Sequence, residues 1–168
     1  MRLIACLAAL SALSLLSACA TVGAGQGKTA YVPAGYEANY DTYQFAPVMK
    51  YGDTVILSGI PASGPGSYED KVRRMFERTK AELALAGASM DDVVEITTFH
   101  TTPKDSPAFD DEFEHFKKIH AEYFHPGTYP AWTAIGGIVL LSPTAVVEMR
   151  TVAVIGSGKK AEVLREKH

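Results

Sequence analysis

Past residue 19 the chain has no cysteine; its two thiols, Cys6 and Cys19, both sit at the start of a 168-residue sequence. A disulfide framework or a cysteine-based zinc site in the body of the protein is therefore excluded. An excess of one charge is missing too: sixteen basic residues against nineteen acidic give a formal net charge of −3. That balance lacks the electrostatic footprint of a nucleic-acid binder, so no nucleic-acid partner is expected. The signatures HExxH, GxSxG and CxxC do not occur. Neither does an internal repeat or a low-complexity segment. What is present is ordinary: 47% hydrophobic, 21% charged and 10% aromatic residues. Wholesale disorder does not fit such a composition.

The first residues read as an address. Arg2 is the only charge ahead of a largely apolar run from Leu3 to Leu16. The run is shorter than the roughly 20 residues of a spanning helix and fits a secretory h-region. It ends Leu16-Ser17-Ala18-Cys19, which resembles the lipobox of bacterial lipoproteins. That resemblance implies a signal peptide over 1–18, lipidation of Cys19 and attachment to a membrane through two acyl chains. Ala20 stands where an Asp would resemble an inner-membrane retention signal. The implied location is the cell envelope, at the outer membrane facing the periplasm. Removing residues 1–18 from the 168 leaves 150, enough for one core without staples. Residues 19–39 read as the lipidated Cys and a flexible tether. Its Gly23–Lys28 stretch lacks the strand and spacing of a phosphate loop. Residues 40–155 form the folded domain, and 156–168 a charged tail.

Within the domain, Tyr43–Tyr51 and Thr54–Ser58 are β-rich and flank Gly52-Asp53, a hairpin signal. Ser67 and Asp70 are spaced as a capping box. Val72, Met75, Phe76, Thr79, Leu83 and Ala86 then recur with helical period until Gly87. Val93–Thr101 reads as a strand. A second helix begins near Pro107 and carries Phe109, Phe113, Phe116, His120 and Tyr123 on one stripe. Trp132–Leu141 and Ala145–Ile155 read as two more strands. The order β-β-α-β-α-β-β predicts an α+β fold, a mixed sheet with two helices on one face.

The chemistry-bearing residues are few. His115 and His120 lie five apart, about 140° around a helix, so they do not converge on a metal, and no metal site is expected. Asp110-Asp111-Glu112 suits a helix N-terminus. Glu148 is different: it interrupts a final strand that is apolar on both sides. Such a carboxylate is costly unless paired or wet, and one facing a cleft is an acid/base candidate. A salt bridge with Arg150 or another neighbour is the alternative. Trp132, the single Trp, either packs in the core or lines a pocket.

Four blocks in register carry a resemblance over roughly residues 40–155. They are Gly52-Asp-Thr-Val-Ile-Leu-Ser-Gly59, Leu83-Ala-Leu-Ala-Gly87 followed by Asp92-Val-Val-Glu95, Tyr129-Pro-Ala131, and Ala145-Val-Val-Glu148. The chain resembles the RidA/YjgF family. That implies a chorismate-mutase-like fold and a homotrimer with clefts between subunits. It also implies cofactor-free hydrolysis of reactive enamines and imines, such as 2-aminoacrylate, to a 2-keto acid and ammonia. By position, Glu148 falls on the family's water-positioning Glu and Ser58 on its cleft Ser, the two candidate catalytic residues. Phe45 falls on a Tyr and Trp132 on the Arg that grips the substrate carboxylate, the two candidate substrate-binding residues. Phe lacks the hydroxyl, and Trp cannot make a bidentate contact to a carboxylate. The expected activity is a divergent C=N hydrolase for a more apolar substrate, with Trp132 and Glu148 sharing one hollow. The alternatives are a non-catalytic trimer that binds a small molecule at the envelope, or a scaffold role for the trimer surface.

Overall fold

The turn at Gly52-Asp53 brings Tyr51 opposite Thr54, with Gly52 at φ 58, a left-handed conformation that suits glycine. The hairpin it closes joins β2 (Val48–Tyr51) to β3 (Thr54–Pro61). The computed structural model describes residues 27–166. Its remaining strands are β1 (Lys28–Tyr31), β4 (Val93–His100), β5 (Ala131–Ile135) and β6 (Val147–Val154). Its helices are α1 (Glu37–Tyr43), α2 (Tyr68–Leu85) and α3 (Ser106–Tyr123). The six strands form one sheet in the order β1-β2-β3-β6-β4-β5. All neighbours are antiparallel except β4 and β5, which run parallel and are joined through α3. The expected α+β architecture with a mixed sheet is what the chain adopts.

Both long helices start where the sequence marks them. Ser67 Oγ accepts from the Asp70 amide at 3.1 Å, and the Asp70 carboxylate accepts from the Ser67 amide at 3.0 Å, closing the capping box of α2. Asp105 caps α3 by accepting from the Ala108 amide at 2.9 Å, with Pro107 in the first turn. The buried stripes of the two helices meet the sheet in one core. Phe76 is its hub, tilted against Phe116 and stacked on Tyr123 at 4.6 Å. Two basic residues of α2 pair outside the helix, while Arg78 keeps an i,i+4 partner in Glu82 at 2.7 Å. Arg73 forks onto Glu122 of α3 at 2.9 and 2.7 Å, and Arg74 donates to the Ser63 and Pro65 carbonyls.

Three boundaries differ from expectation. The tether predicted over 19–39 ends early, because Lys28–Tyr31 pairs with β2 and Glu37–Tyr43 is helical. A four-residue polar strand at a sheet edge shows no alternation to read; it forms because β2 would otherwise present unpaired backbone groups. The first strand predicted from Tyr43 begins at Val48, after the Ala46-Pro47 break. The strand predicted over Trp132–Leu141 stops at Ile135. Gly136-Gly137 turns the chain there, with Gly137 at φ 71, and leaves Val139 96% exposed. The signal peptide and Cys19 lie outside the described residues. Among the described residues no helix is long and apolar enough to cross a membrane.

Candidate functional site

The two-residue period of β6 divides its side chains cleanly. Val147, Met149, Thr151 and Ala153 are buried against the helices, and Glu148, Arg150, Val152 and Val154 face the other side of the sheet. Glu148 stands between Pro61 of β3 and Phe99 of β4. The β3–β6 register shifts between Leu57 and Ile60, so Ser58-Gly59 bows out of the ladder at this point. Glu148 fills the space over Gly59. A Cβ on residue 59 would come within 2.6 Å of Glu148 Cδ and closer to Oε1, so no side chain is tolerated there without moving the carboxyl.

Among the described residues no cation pairs with the carboxyl of Glu148. Arg150, two residues along the same face, pairs instead with Glu95 of β4 at 3.0 Å. Lys50 points to the helix side and donates to the Ala86 carbonyl at the end of α2, 3.0 Å away. Burial alone pushes the Glu148 pKa above its ordinary value, with nothing to offset it.

Ser58 and Phe45 lie on the same side of the sheet. Ser58 Oγ donates to the Ala46 carbonyl at 2.8 Å, and its amide donates to the Pro47 carbonyl at 2.9 Å. The hydroxyl thus ties down the segment carrying Phe45. Phe45 follows Gln44, the one non-glycine residue with positive φ (55°) among the described residues. Strain of this kind collects at binding sites. Phe45 is 37% exposed and borders an open depression of about 590 Å³ with Tyr40, Gln44 and Met49. Ser58 and Glu148 thus face the same side of the sheet, and Phe45 borders a depression that neither of them lines.

Within one chain Trp132 does not join them. In the parallel β4–β5 pair it stands beside Ile96, a core residue. Its indole stacks on His120 at 4.6 Å and on Phe113 at 4.7 Å. Its Nε1–H donates to Thr98 Oγ1 at 3.0 Å. It occupies the helix side of the sheet and Glu148 the other, because the apolar stripe of α3 accepts the ring. Within this chain Trp132 is a packing residue on the face opposite Glu148.

A buried polar chain continues from Trp132 that the sequence reading did not anticipate. Thr98 Oγ1 lies 3.0 Å from His100 Nε2, and His100 Nδ1 lies 2.8 Å from Glu112 Oε1. Glu112 accepts from Nδ1–H, and in the neutral imidazole Nε2 then accepts from the Thr98 hydroxyl, whose oxygen accepts from the indole. Tyr68 and Thr102 also donate to that carboxylate. Burial pushes Glu112 up, but its donors outweigh burial and hold it below the ordinary value. Carboxylate, imidazole and hydroxyl follow one another as in a nucleophilic triad, yet Thr98 and His100 are both 0% exposed. The array is a strut joining β4, β5 and α3. Glu112, expected to favour the helix dipole, faces inward instead. Among the described residues no group of three or more His, Cys, Asp or Glu could hold a metal ion.

Two pH effects are expected. Glu148 binds its proton more readily in the fold than in the unfolded chain, so it costs stability as pH rises through its raised folded value. Glu148→Gln should raise Tm at pH 7 relative to wild type and leave it nearly unchanged at pH 3.5. His120 behaves oppositely. Burial holds its pKa down to about 4, and its Nε2 has no partner. Stability should fall as pH drops from about 6.5, where the unfolded imidazole titrates, toward the folded value, then level off. Urea midpoints between pH 4 and 7 should show a shallower slope for His120→Phe than for wild type.

Comparison with known proteins agrees with the fold. RutC family protein YjgH of Escherichia coli (strain K12) is 32% identical over 114 residues, covering 65% of this chain and 82% of that protein. A solved structure of protein YjgH matches with a TM-score of 0.63 at 30% identity, covering 76% of this chain and 96% of that one. A Dermatophagoides farinae protein named 2-iminobutanoate/2-iminopropanoate deaminase is 28% identical over 118 residues, covering 66% of this chain and 85% of that protein. With the family profile described as Endoribonuclease L-PSP matching residues 37–155, the chain belongs to the RidA/YjgF family.

Proposed function

We propose that the chain hydrolyses a reactive imine or enamine, releasing ammonia and a carbonyl compound, at the open-face site around Glu148. The observation that carries this reading is a half-buried carboxyl with no cation, seated on Gly59 and pushed up in pKa by burial alone. Such a group can take a proton from water as the oxygen adds to the carbon of the protonated C=N, give that proton to nitrogen as the C–N bond breaks, and take the remaining hydroxyl proton as the C=O bond forms and ammonia leaves. Ser58, beside Gly59, faces the same side of the sheet. A distant relative named as an imine deaminase supports the reaction class.

The substrate is more apolar than a small imino acid. Position 132 supplies no guanidinium, since its indole is committed to α3, and Phe45 offers a ring without a hydroxyl. The sheet face that carries Glu148 also supports a homotrimer with clefts between its copies. Ile56 is 36% and Ile135 40% exposed on it, alongside half-buried Phe99, Val152 and Val154. An apolar face of that kind is covered when copies associate. A ribonuclease activity, which the family description names, has less support in a chain of net charge −3. We place the trimer at the envelope, anchored through lipidated Cys19, on the strength of Leu16–Cys19.

Two experiments test these statements. Ammonia release from imines generated in situ should be faster for apolar or aryl side chains than for 2-iminopropanoate, and Glu148→Gln should lower it by about 100-fold or more. Undiminished turnover in that variant removes Glu148 from the mechanism. Failure of the wild type on the whole panel leaves the ligand-binding reading. Separately, labelled palmitate should enter the full-length chain in a bacterial host, and Cys19→Ala should abolish the label.

A further inference from the structure

On a strand, residues two apart share a face, and their Cβ atoms are about 7 Å apart. Arg150 is therefore within easy reach of Glu148, and an ion pair along the strand is the expected arrangement. The guanidinium goes elsewhere. Arg150 stands opposite Thr97, and Glu148 stands opposite Phe99. Glu95, which binds Arg150 at 3.0 Å, lies on the far side of Thr97 from Phe99. The pair thus draws the cation toward the Val152 level of the sheet, away from the carboxyl over Gly59. Level with Glu148 the flanking strands bring no charge: Pro61 and Gly59 come from β3 and Phe99 from β4, whose Glu95 lies further along, opposite Val152. Arg150 is the one cation on the same strand and face.

We propose that Glu95 is a positioning residue: by holding Arg150, it keeps Glu148 free of a cation and able to exchange protons with water. This deepens the hydrolase reading and rests on the role given there to Glu148. Without Glu95 the guanidinium turns to Glu148, the one carboxylate on its own strand. An opposite charge at that range stabilises the ionised form and makes a poorer base. The ion pair on this face governs the chemistry of a third residue that touches neither partner.

The test reads Glu148 directly. The side-chain carboxyl carbon of Glu148 is titrated by NMR in the full mature chain, its signal assigned with Glu148→Gln. In Glu95→Gln the midpoint should fall by about 1 pH unit, as a carboxylate beside a new cation does. Glu95→Gln with Arg150→Met should return it to the wild-type value. Arg150→Met alone should leave it where it was. Where an imine is turned over, the acid limb of the pH–rate profile should move with the midpoint in Glu95→Gln and return in the double variant. An unchanged midpoint in Glu95→Gln overturns the proposal, as does a raised midpoint in Arg150→Met, which would mean that Arg150 already serves Glu148. Glu95→Ala repeats the test with a smaller side chain. The titration is independent of turnover, so a protein inactive on every imine leaves this result standing. An unmoved midpoint in an active enzyme sinks the positioning role alone.

Discussion

Glu148 shares β6 with four buried side chains, and its placement follows from the hydrogen bonds that strand makes on both sides. Neither edge of β6 is free: β3 holds one and β4 the other. A slip of one residue would drive Glu148 and Arg150 into the core and expel Met149 and Thr151. Burial of the alternate residues therefore fixes the carboxyl on the open face. The bulge at Ser58-Gly59 then decides what it meets there, since only a glycine leaves room for it.

Two carboxylates of this protein have opposite surroundings. Glu112 is drawn into the fold by donors from Tyr68, His100 and Thr102, which together keep it ionised and fixed. It ends a polar chain that starts at the indole of Trp132 and ties β5 to the rest of the sheet. Glu148 has none of that support. A site that needs a group to gain and lose protons is better served by the unsupported carboxyl, and a sheet edge that must not shift is better served by the saturated one. The same residue type carries chemistry in one place and stiffness in the other.

Much of this was legible in the residues. Capping at Ser67, the helical stripes, the Gly52-Asp53 turn and the apolar final strand are local patterns, and each reflects backbone chemistry over a few neighbours. Glu148 stood out for the same reason: a charge inside an apolar strand violates the pattern around it. β1 and the early end of β5 were not legible. A short polar strand has no period of its own, and the apolar Ile138–Leu141 run looks like more strand until Gly136-Gly137 turns it away.

The sequence by itself determined the family, the order of the elements and the identity of the odd carboxyl, because these depend on near neighbours in the chain. Only the tertiary structure decided on which side of the sheet Trp132 lies, that Glu112 faces inward, and that Arg150 turns to Glu95 rather than Glu148. Each of those depends on which strand lies beside which and in what register. Residues far apart in the chain set that register by competing for one core, and no local spacing records the outcome.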